Sequence, residues 1–504
     1  MSNWKQGIYC CIIRLACAAA AAVPAVAAEG APRAVAIGER EIVARLVANN
    51  PDLESLRLST ERARQRVLTE EGRFPYYLQA DAGYTRSRVP ALAGSNEVLV
   101  STRDSFAVAT ELRRVFPTGT QASLRVQGER FSSSRATTGS LITSQQSGVG
   151  YQATARATVI QPLLRGAGRS VNEVELRASR LSQAASLQVY ESRISALLYD
   201  ALTAYWELWY ASRAAEIERS ALELAEAQLE EARQRAALGA LAAADVLQFE
   251  TRVAELRESV VAAEFSETQQ WLELRTLVGE SAQDAAPWRA ADLAPPPAGK
   301  VAAAAVLGQV VTASPEVLQL EAELKVLRER AEWAGDELGA RLDVQGWVEA
   351  AGLGAGTPVP VARQLGGLDA VSVYGGVVYE TPLDSRRQRA TRAQANLEIR
   401  IAEQNLRAVR QRLQNQAAQL VAQLERTRVG LIAAQETEAI AERQVVLERQ
   451  RFRLGGATPL EVQQAEETLR LVHLRVARAR VNAVLVMLGL EHLTGRLLAR
   501  YTAA

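Results

Sequence analysis

The chain has 504 residues, too many for one ordinary domain, so two domains or a repetitive architecture is expected. Lys plus Arg (58) and Asp plus Glu (57) nearly cancel, which argues against a generic nucleic-acid binder. Hydrophobic residues make up 48% and aromatics only 5%, with abundant Ala, Leu, Glu, Gln and Arg, the composition of long helices rather than of disorder.

At the N-terminus, Lys5 and Arg14 precede an Ala-rich apolar stretch from Leu15 to Ala28 that ends in small residues before Glu29. This pattern predicts a secretory signal peptide over residues 1–28. All three cysteines (Cys10, Cys11, Cys17) fall inside it, so the mature chain would have none. Beyond it no run of 18 or more apolar residues occurs, which leaves a soluble protein or a closed barrel as the options.

The remainder reads as two related halves. Asn50-Pro51 and Ser314-Pro315 stand 264 residues apart, Gln161-Pro162 and Thr381-Pro382 only 220, and Leu238-Gly239 and Leu454-Gly455 216. Between Pro51 and Pro162 the first half, 29–298, therefore carries about 44 residues more than the second half, 299–504, does between Pro315 and Pro382, and Pro295-Pro296-Pro297 marks the join. The extra length has strand character. Four stretches near 73–88, 104–116, 120–131 and 150–161 alternate in polarity, against two near 341–350 and 370–380. Ser- and Gly-rich segments near 91–103 and 132–148, and the segment Gly352–Gly367, read as loops. Six strands are too few to close a barrel, whereas three copies would supply a size that holds an open channel. A small exposed sheet on a soluble helical protein is the alternative.

Each strand set leads into a helical hairpin, about 169–278 and 385–495. Apart from Gly430, the runs Ser170–Ala237 and Ser385–Arg453 contain no Pro or Gly. At ~1.5 Å per residue each is roughly 100 Å of helix. A heptad seam runs through Val462, Ala465, Leu469, Val472, Val476, Ala479, Ala483, Val486 and Leu490, and its counterpart through Val246, Phe249, Val253, Leu256, Val260 and Ala263. The hairpin tips fall at Leu238-Gly239 before Asp245 and at Leu454-Gly455-Gly456 before Glu461. Their equal spacing suggests a shared interaction surface.

Catalytic chemistry is hard to find. Only His473 and His492 occur, no Cys survives maturation, and no phosphate-binding GxxxxGK[ST] loop is present, so no catalytic, cofactor or metal residue is assigned.

The segments QPLLRGAGRSVNEVELRAS and AYWELWYASRAAEIERSALELAEAQLEEARQRAALGALAAADVLQ, and YETPLDSRRQRATRAQANLEI followed by RQRFRLGGATPLEVQQAEETL, resemble the TolC-like outer-membrane efflux protein family. The turn Phe116-Pro117-Thr118-Gly119-Thr120 resembles a subgroup with an additional strand pair. The resemblance implies an α+β membrane protein: long coiled-coil hairpins forming a periplasmic tunnel, and strands shared in a homotrimeric barrel within outer-membrane lipid. It further implies a passive, non-enzymatic exit duct for efflux, docked at its tips by a periplasmic adaptor and an inner-membrane transporter. A duct for protein or peptide secretion is the alternative within the class, and a soluble periplasmic coiled-coil scaffold the one outside it. By the same resemblance, Leu238, Gly239, Leu454 and Gly455 would be docking tips, and Glu461, Asp245, Gln464 and Phe452 would line a periplasmic gate. Gln464 stands where a second acid is expected, and Ala457 where a basic partner is expected. Glu461 alternatively only starts its helix, where an acid suits the dipole.

Overall fold

The computed structural model describes residues 35–92, 98–138, 146–239, 242–281, 286–291 and 303–502. The expected signal peptide and the Pro295-Pro296-Pro297 join lie outside the described residues.

The chain begins with β1 (Val35–Ile37), α1 (Glu39–Asn49) and α2 (Pro51–Glu71). Four long strands follow: β2 (Tyr76–Leu92), β3 (Val98–Val115), β4 (Gln121–Thr138) and β5 (Gln146–Pro162). A short α3 (Arg169–Asn172) precedes the hairpin of α4 (Val174–Ala237) and α5 (Ala243–Val278), and β6 (Trp288–Ala290) ends the first half. The second half holds α6 (Ala303–Ala313), α7 (Pro315–Asp336), β7 (Arg341–Ala355), α8 (Val359–Gly367), β8 (Val371–Glu380), α9 (Arg386–Arg453), α10 (Pro459–Leu493) and α11 (Arg496–Thr502). No helix among the described residues is long and apolar enough to cross a membrane.

The chain divides into two compact units. One is drawn from Met1–Glu61, Ala185–Ala322 and Gln404–Ala504, the other from Arg62–Ala184 and Glu323–Glu403.

The first unit is helical. Its core gathers Ile37, Ile42, Leu46, Leu198, Leu202, Leu208, Leu274, Val278, Trp288, Leu488 and Leu497 around Tyr205. The parallel pair of β1 and β6, which periodicity did not disclose, places Ile37 and Trp288 in this core. The repeat landmark Asn50 is a helix cap: its Oδ1 accepts the N–H groups of Asp52 (2.9 Å) and Leu53 (3.2 Å). Pro51 fits behind it because the first helical N–H has no partner to lose. Gly279 ends α5 at φ +85°, and a Cβ there would stand 2.7 Å from the Asn49 carbonyl oxygen, so only glycine fits. Of the seam on α10, Val462, Ala465, Val472, Val476, Ala483, Val486 and Leu490 are buried, and on α5 Phe249, Val253 and Leu256 are.

The second unit carries one six-stranded antiparallel sheet in the order β2-β3-β4-β5-β7-β8. Its strands exceed the expected ones, running through most of the Ser- and Gly-rich segments read as loops. Backbone pairing to a neighbour on either side overrides local composition there. The segment Gly352–Gly367 is also not a loop: β7 continues to Ala355, and α8 follows. Its glycines serve close packing. A Cβ on Gly352 would come within 2.7 Å of the Val361 carbonyl oxygen, and one on Gly354 within 2.8 Å of that of Thr357. The first long helical run is interrupted at Glu173, between α3 and α4.

Candidate functional site: a two-faced sheet and two hairpin tips

Side chains alternate across a strand, so the register assigns each to a face. One row of paired residues reads Leu78, Leu112, Leu124, Ala157, Val348 and Val373 across all six strands. The row one residue along, on the opposite face, reads Gln79, Glu111, Arg125, Arg156, Glu349 and Ser372. One face is thus continuously apolar and the other polar.

The apolar face extends over Ala80, Thr110, Val126, Ala155, Ala350 and Val371, then Ala82, Val108, Gly128, Ala153 and Gly352. The first charges met on it are Arg114, in the row of Tyr76, and Arg130, in the row of Tyr84. Those rows are eight residues apart along β2, roughly 26 Å at ~3.3 Å per residue. At the ~40° strand tilt of an outer-membrane barrel this is about 20 Å of height, of the same order as the ~25 Å apolar band of such barrels. Tyrosines lie at both limits. Tyr76 accepts a hydrogen bond from Arg114 (2.6 Å), and Tyr84 donates one to Asp104 (2.8 Å). Apolar side chains in the band are exposed in the protomer, Leu78 at 73% and Val373 at 73%.

The polar face is cross-linked by charge. Arg125 lies 3.5 Å from Asp81 and 3.3 Å from Glu111, Arg103 is 2.9 Å from Glu129, and Arg156 is 2.7 Å from Glu349. Arg156 also lies over the Trp347 ring at 4.5 Å, with Tyr374 stacked on that ring at 5.8 Å. Exposed ion pairs contribute little to stability, on the order of 0–1 kcal/mol each. Their consequence is a wettable face. The outer edges of β2 and β8 have no strand partner among the described residues.

The tips lie in the helical unit. Leu238 and Leu454 are 84% and 87% exposed, and Gly239 (φ +75°) and Gly455 (φ +76°) turn the chain in the left-handed region. The second tip is closed by Gly456 N–H donating to the Arg451 carbonyl (2.8 Å) and by Arg451 donating to the Gly456 carbonyl (3.1 Å). Between the hairpins lies a cleft of about 400 Å³, lined by Gln228, Arg235, Phe249, Arg449, Phe452 and Val462 among others. Arg235 sits 5.5 Å from the Phe452 ring, and Glu466 accepts from Gln228 (2.9 Å) and Arg449 (2.8 Å). The structure therefore brings Phe452 against the other hairpin, while Gln464 is exposed and Asp245 lies in the first turn of α5.

Of the two roles open to Glu461, the protomer fulfils the helix-start one. Its carboxylate accepts from the Thr458 N–H (2.6 Å) and hydroxyl (3.0 Å), and Thr458 Oγ1 accepts the Glu461 N–H (3.3 Å). This capping box holds the Glu461 carboxyl below the usual carboxylate range.

The histidines are structural in setting. His492 Nδ1 lies 2.9 Å from Ser195 Oγ and its ring stacks on Tyr199, with burial pushing the imidazole pKa down. His473 is half-exposed, 3.7 Å from Glu438 and 3.8 Å from Glu442. No group of three or more metal-binding side chains occurs among the described residues.

Long helical hairpins and an antiparallel sheet also make up the fold of several solved outer-membrane channels. The chain is similar to the VceC outer membrane protein of Vibrio cholerae (TM-score 0.62, 14% identity, covering 91% of this chain and 96% of that one). It is similar also to the Campylobacter jejuni CmeC outer membrane channel (TM-score 0.62, 13% identity, 91% and 85%) and to the open-state Neisseria gonorrhoeae MtrE outer membrane channel (TM-score 0.58, 16% identity, 94% and 94%). No curated protein sequence matches. Residues 306–496 match the family described as Outer membrane efflux protein.

Proposed function

We propose that this protein is the outer-membrane exit duct of a tripartite efflux system. The observation that carries the reading is the pair of adjacent rows: Leu78 to Val373 apolar on one face, Gln79 to Ser372 polar on the other. A sheet with such faces suits a wall between lipid and water. In lipid its two open edges must be closed, because unpaired backbone groups cannot be satisfied there. Three copies supply eighteen strands, β8 of each pairing with β2 of the next, a size that leaves an aqueous lumen. The polar face then lines the lumen and the apolar face meets lipid.

The helical hairpins continue the conduit in the periplasm. Their exposed tips at Leu238-Gly239 and Leu454-Gly455 receive a periplasmic adaptor, and an inner-membrane transporter supplies the energy. Glu461 and Asp245, with Gln464 and Phe452 nearby, ring the closed end. The domain reading keeps its two halves, 29–298 and 299–504, each contributing strands and one hairpin.

The deciding experiment is the native mass of the protein extracted in detergent from purified outer membrane. A mass near three times that of the processed chain is expected. A monomer recovered from the soluble periplasm would overturn the duct.

A further inference from the structure

The helix α8 has no role in a channel wall, yet it is firmly built onto one. It lies between β7 and β8, at the end of the sheet away from the junctions with α7 and α9. It packs on the apolar face. Ala350, Gly352 and Gly354 belong to that face by register, and the Cβ positions of the two glycines point at Val361, which is buried. It also finishes an edge. The pairing of β7 with β8 stops at Ala350–Val371, and beyond it the Leu353 N–H donates to the Gln364 side-chain oxygen at 2.8 Å. Small residues on β7, one buried valine and one amide thus fix the helix to the sheet.

Both ends of α8 carry an uncovered apolar side chain, Val359 at its first position and Leu368 at its C-terminal cap. Val359 is 62% exposed and Leu368 64%. Leu368 ends the helix at φ +54°, the only non-glycine residue with positive φ among the described residues. The left-handed region normally selects glycine at this position. A large apolar side chain is thus kept in a disfavoured backbone conformation and turned outward. Between these two, Arg363 is exposed, with no carboxylate partner among the described residues.

We propose that α8 is an interfacial helix that seats in the outer leaflet of the membrane. Val359 and Leu368 enter the upper acyl region, and Arg363 meets the phosphate of an anionic lipid headgroup. The inference rests on the duct reading, which places lipid against the apolar face, and the occupant follows from continuity. The helix covers the distal end of the surface that carries the Leu78–Val373 row, so its outward side faces the same medium at a shallower depth. Amphipathic helices with basic residues bind interfaces in this way, strengthened by anionic lipid.

The test uses the assembled protein reconstituted in vesicles of phosphatidylcholine and phosphatidylglycerol. Residues 29–504 contain no cysteine, so single nitroxide labels can be placed through Val359→Cys, Leu368→Cys and, on the sheet, Val348→Cys. Relaxation by dissolved oxygen and by an aqueous nickel chelate reports lipid and water respectively. Labels at 359 and 368 are expected to prefer oxygen, at a depth shallower than 348, and to move outward when phosphatidylglycerol is omitted. Nickel preference at 359 and 368 with oxygen preference at 348 would overturn the helix proposal and leave the barrel intact. Shielding from both reagents would replace lipid by a protein contact and also overturn it. Nickel preference at 348 as well would remove the sheet from lipid and take both readings down. Because 368 itself is conformationally special, Leu368→Gly is the second variant. It relieves the backbone, so the assembly is expected to persist with an unchanged or higher Tm in detergent, while a label at 359 loses oxygen preference. An unchanged label would count against anchoring by Leu368.

Discussion

Arg470 on α10 reaches Glu218 on α4 and with its other terminal nitrogen holds Glu467 at 2.5 Å, while Arg252 on α5 reaches the same Glu467. Three helices from two hairpins meet at four charges. Glu218 is buried, so the arrangement depends on every member being paired. Removing Arg470 leaves that acid uncompensated. Arg470→Ala is expected to destabilise the protein by about 3–5 kcal/mol. Glu467→Gln removes one charge-assisted partner and is expected to cost about 1–3 kcal/mol. Thermal unfolding of the detergent-solubilised protein, followed by helical circular dichroism, checks the order of the two. Equal midpoints for both variants and the parent would show that the cluster contributes nothing.

The same cluster predicts an acid dependence. Hydrogen bonding from Arg470, aided by Arg252 against the opposing effect of burial, lowers the Glu467 carboxyl to about 2. The folded value is below the unfolded one, so the contribution is complete above the ordinary carboxylate value and is lost as pH falls through about 2. The Tm difference between parent and Glu467→Gln should therefore be widest near neutral pH and narrow steadily in acid. A difference that widens on acidification would contradict the assignment.

Substitutions in adjacent rows of the sheet, on its opposite faces, should diverge sharply. Leu124→Arg puts a charge in the apolar row and is expected to cost about 2–4 kcal/mol in lipid. Gln79→Arg adds the same side chain on the polar face. Assembled protein recovered from the outer membrane should fall for the first and stay near the parental amount for the second. Parity between the two would deny that the faces differ in solvent.

How much of this was legible depended on which interaction fixed each segment. The hairpins were readable because runs without Pro or Gly and a regular apolar seam, from Val462 to Leu490, specify long helices by local rules. The strand number was readable from alternation such as Ala122, Leu124 and Val126. Strand ends were not, because pairing carries β3 and β4 through Ser-rich sequence that has no strand propensity of its own. The helix α8 was missed because Gly352 and Gly354 look like loop residues, whereas they are small so that Val361 can approach. The β1–β6 pair joins residues some 250 apart and leaves no local pattern. At the tips, the spacing identified Leu454-Gly455 and Glu461, and Thr458 three residues before Glu461 was the overlooked sign of a capping box.

The tips carry a prediction about partners. Leu238 and Leu454 are almost wholly exposed, so replacing either by Glu should change stability by no more than about 0.5 kcal/mol. Transport in cells should nevertheless fail, with normal assembly in the membrane, if these leucines contact the adaptor. Intact transport in the double variant would exclude the tips as the docking surface.

The capping box supplies the last prediction, because it separates charge from geometry at the turn proposed to close the conduit. Glu461→Ala removes both a charge and half of the box, whereas Thr458→Ala removes the other half and keeps the charge. Loss of an N-terminal cap costs about 1 kcal/mol of helix stability. That loss loosens the first turn of α10 beside Gly456 and Arg451. If the set of that turn keeps the conduit shut, both variants raise conductance in a planar bilayer, and this is the expected outcome. A rise for Glu461→Ala alone, accompanied by loss of cation preference, would assign closure to the ring of negative charge instead. Unchanged conductance in both would move the constriction away from this turn and leave Glu461 as a helix cap only.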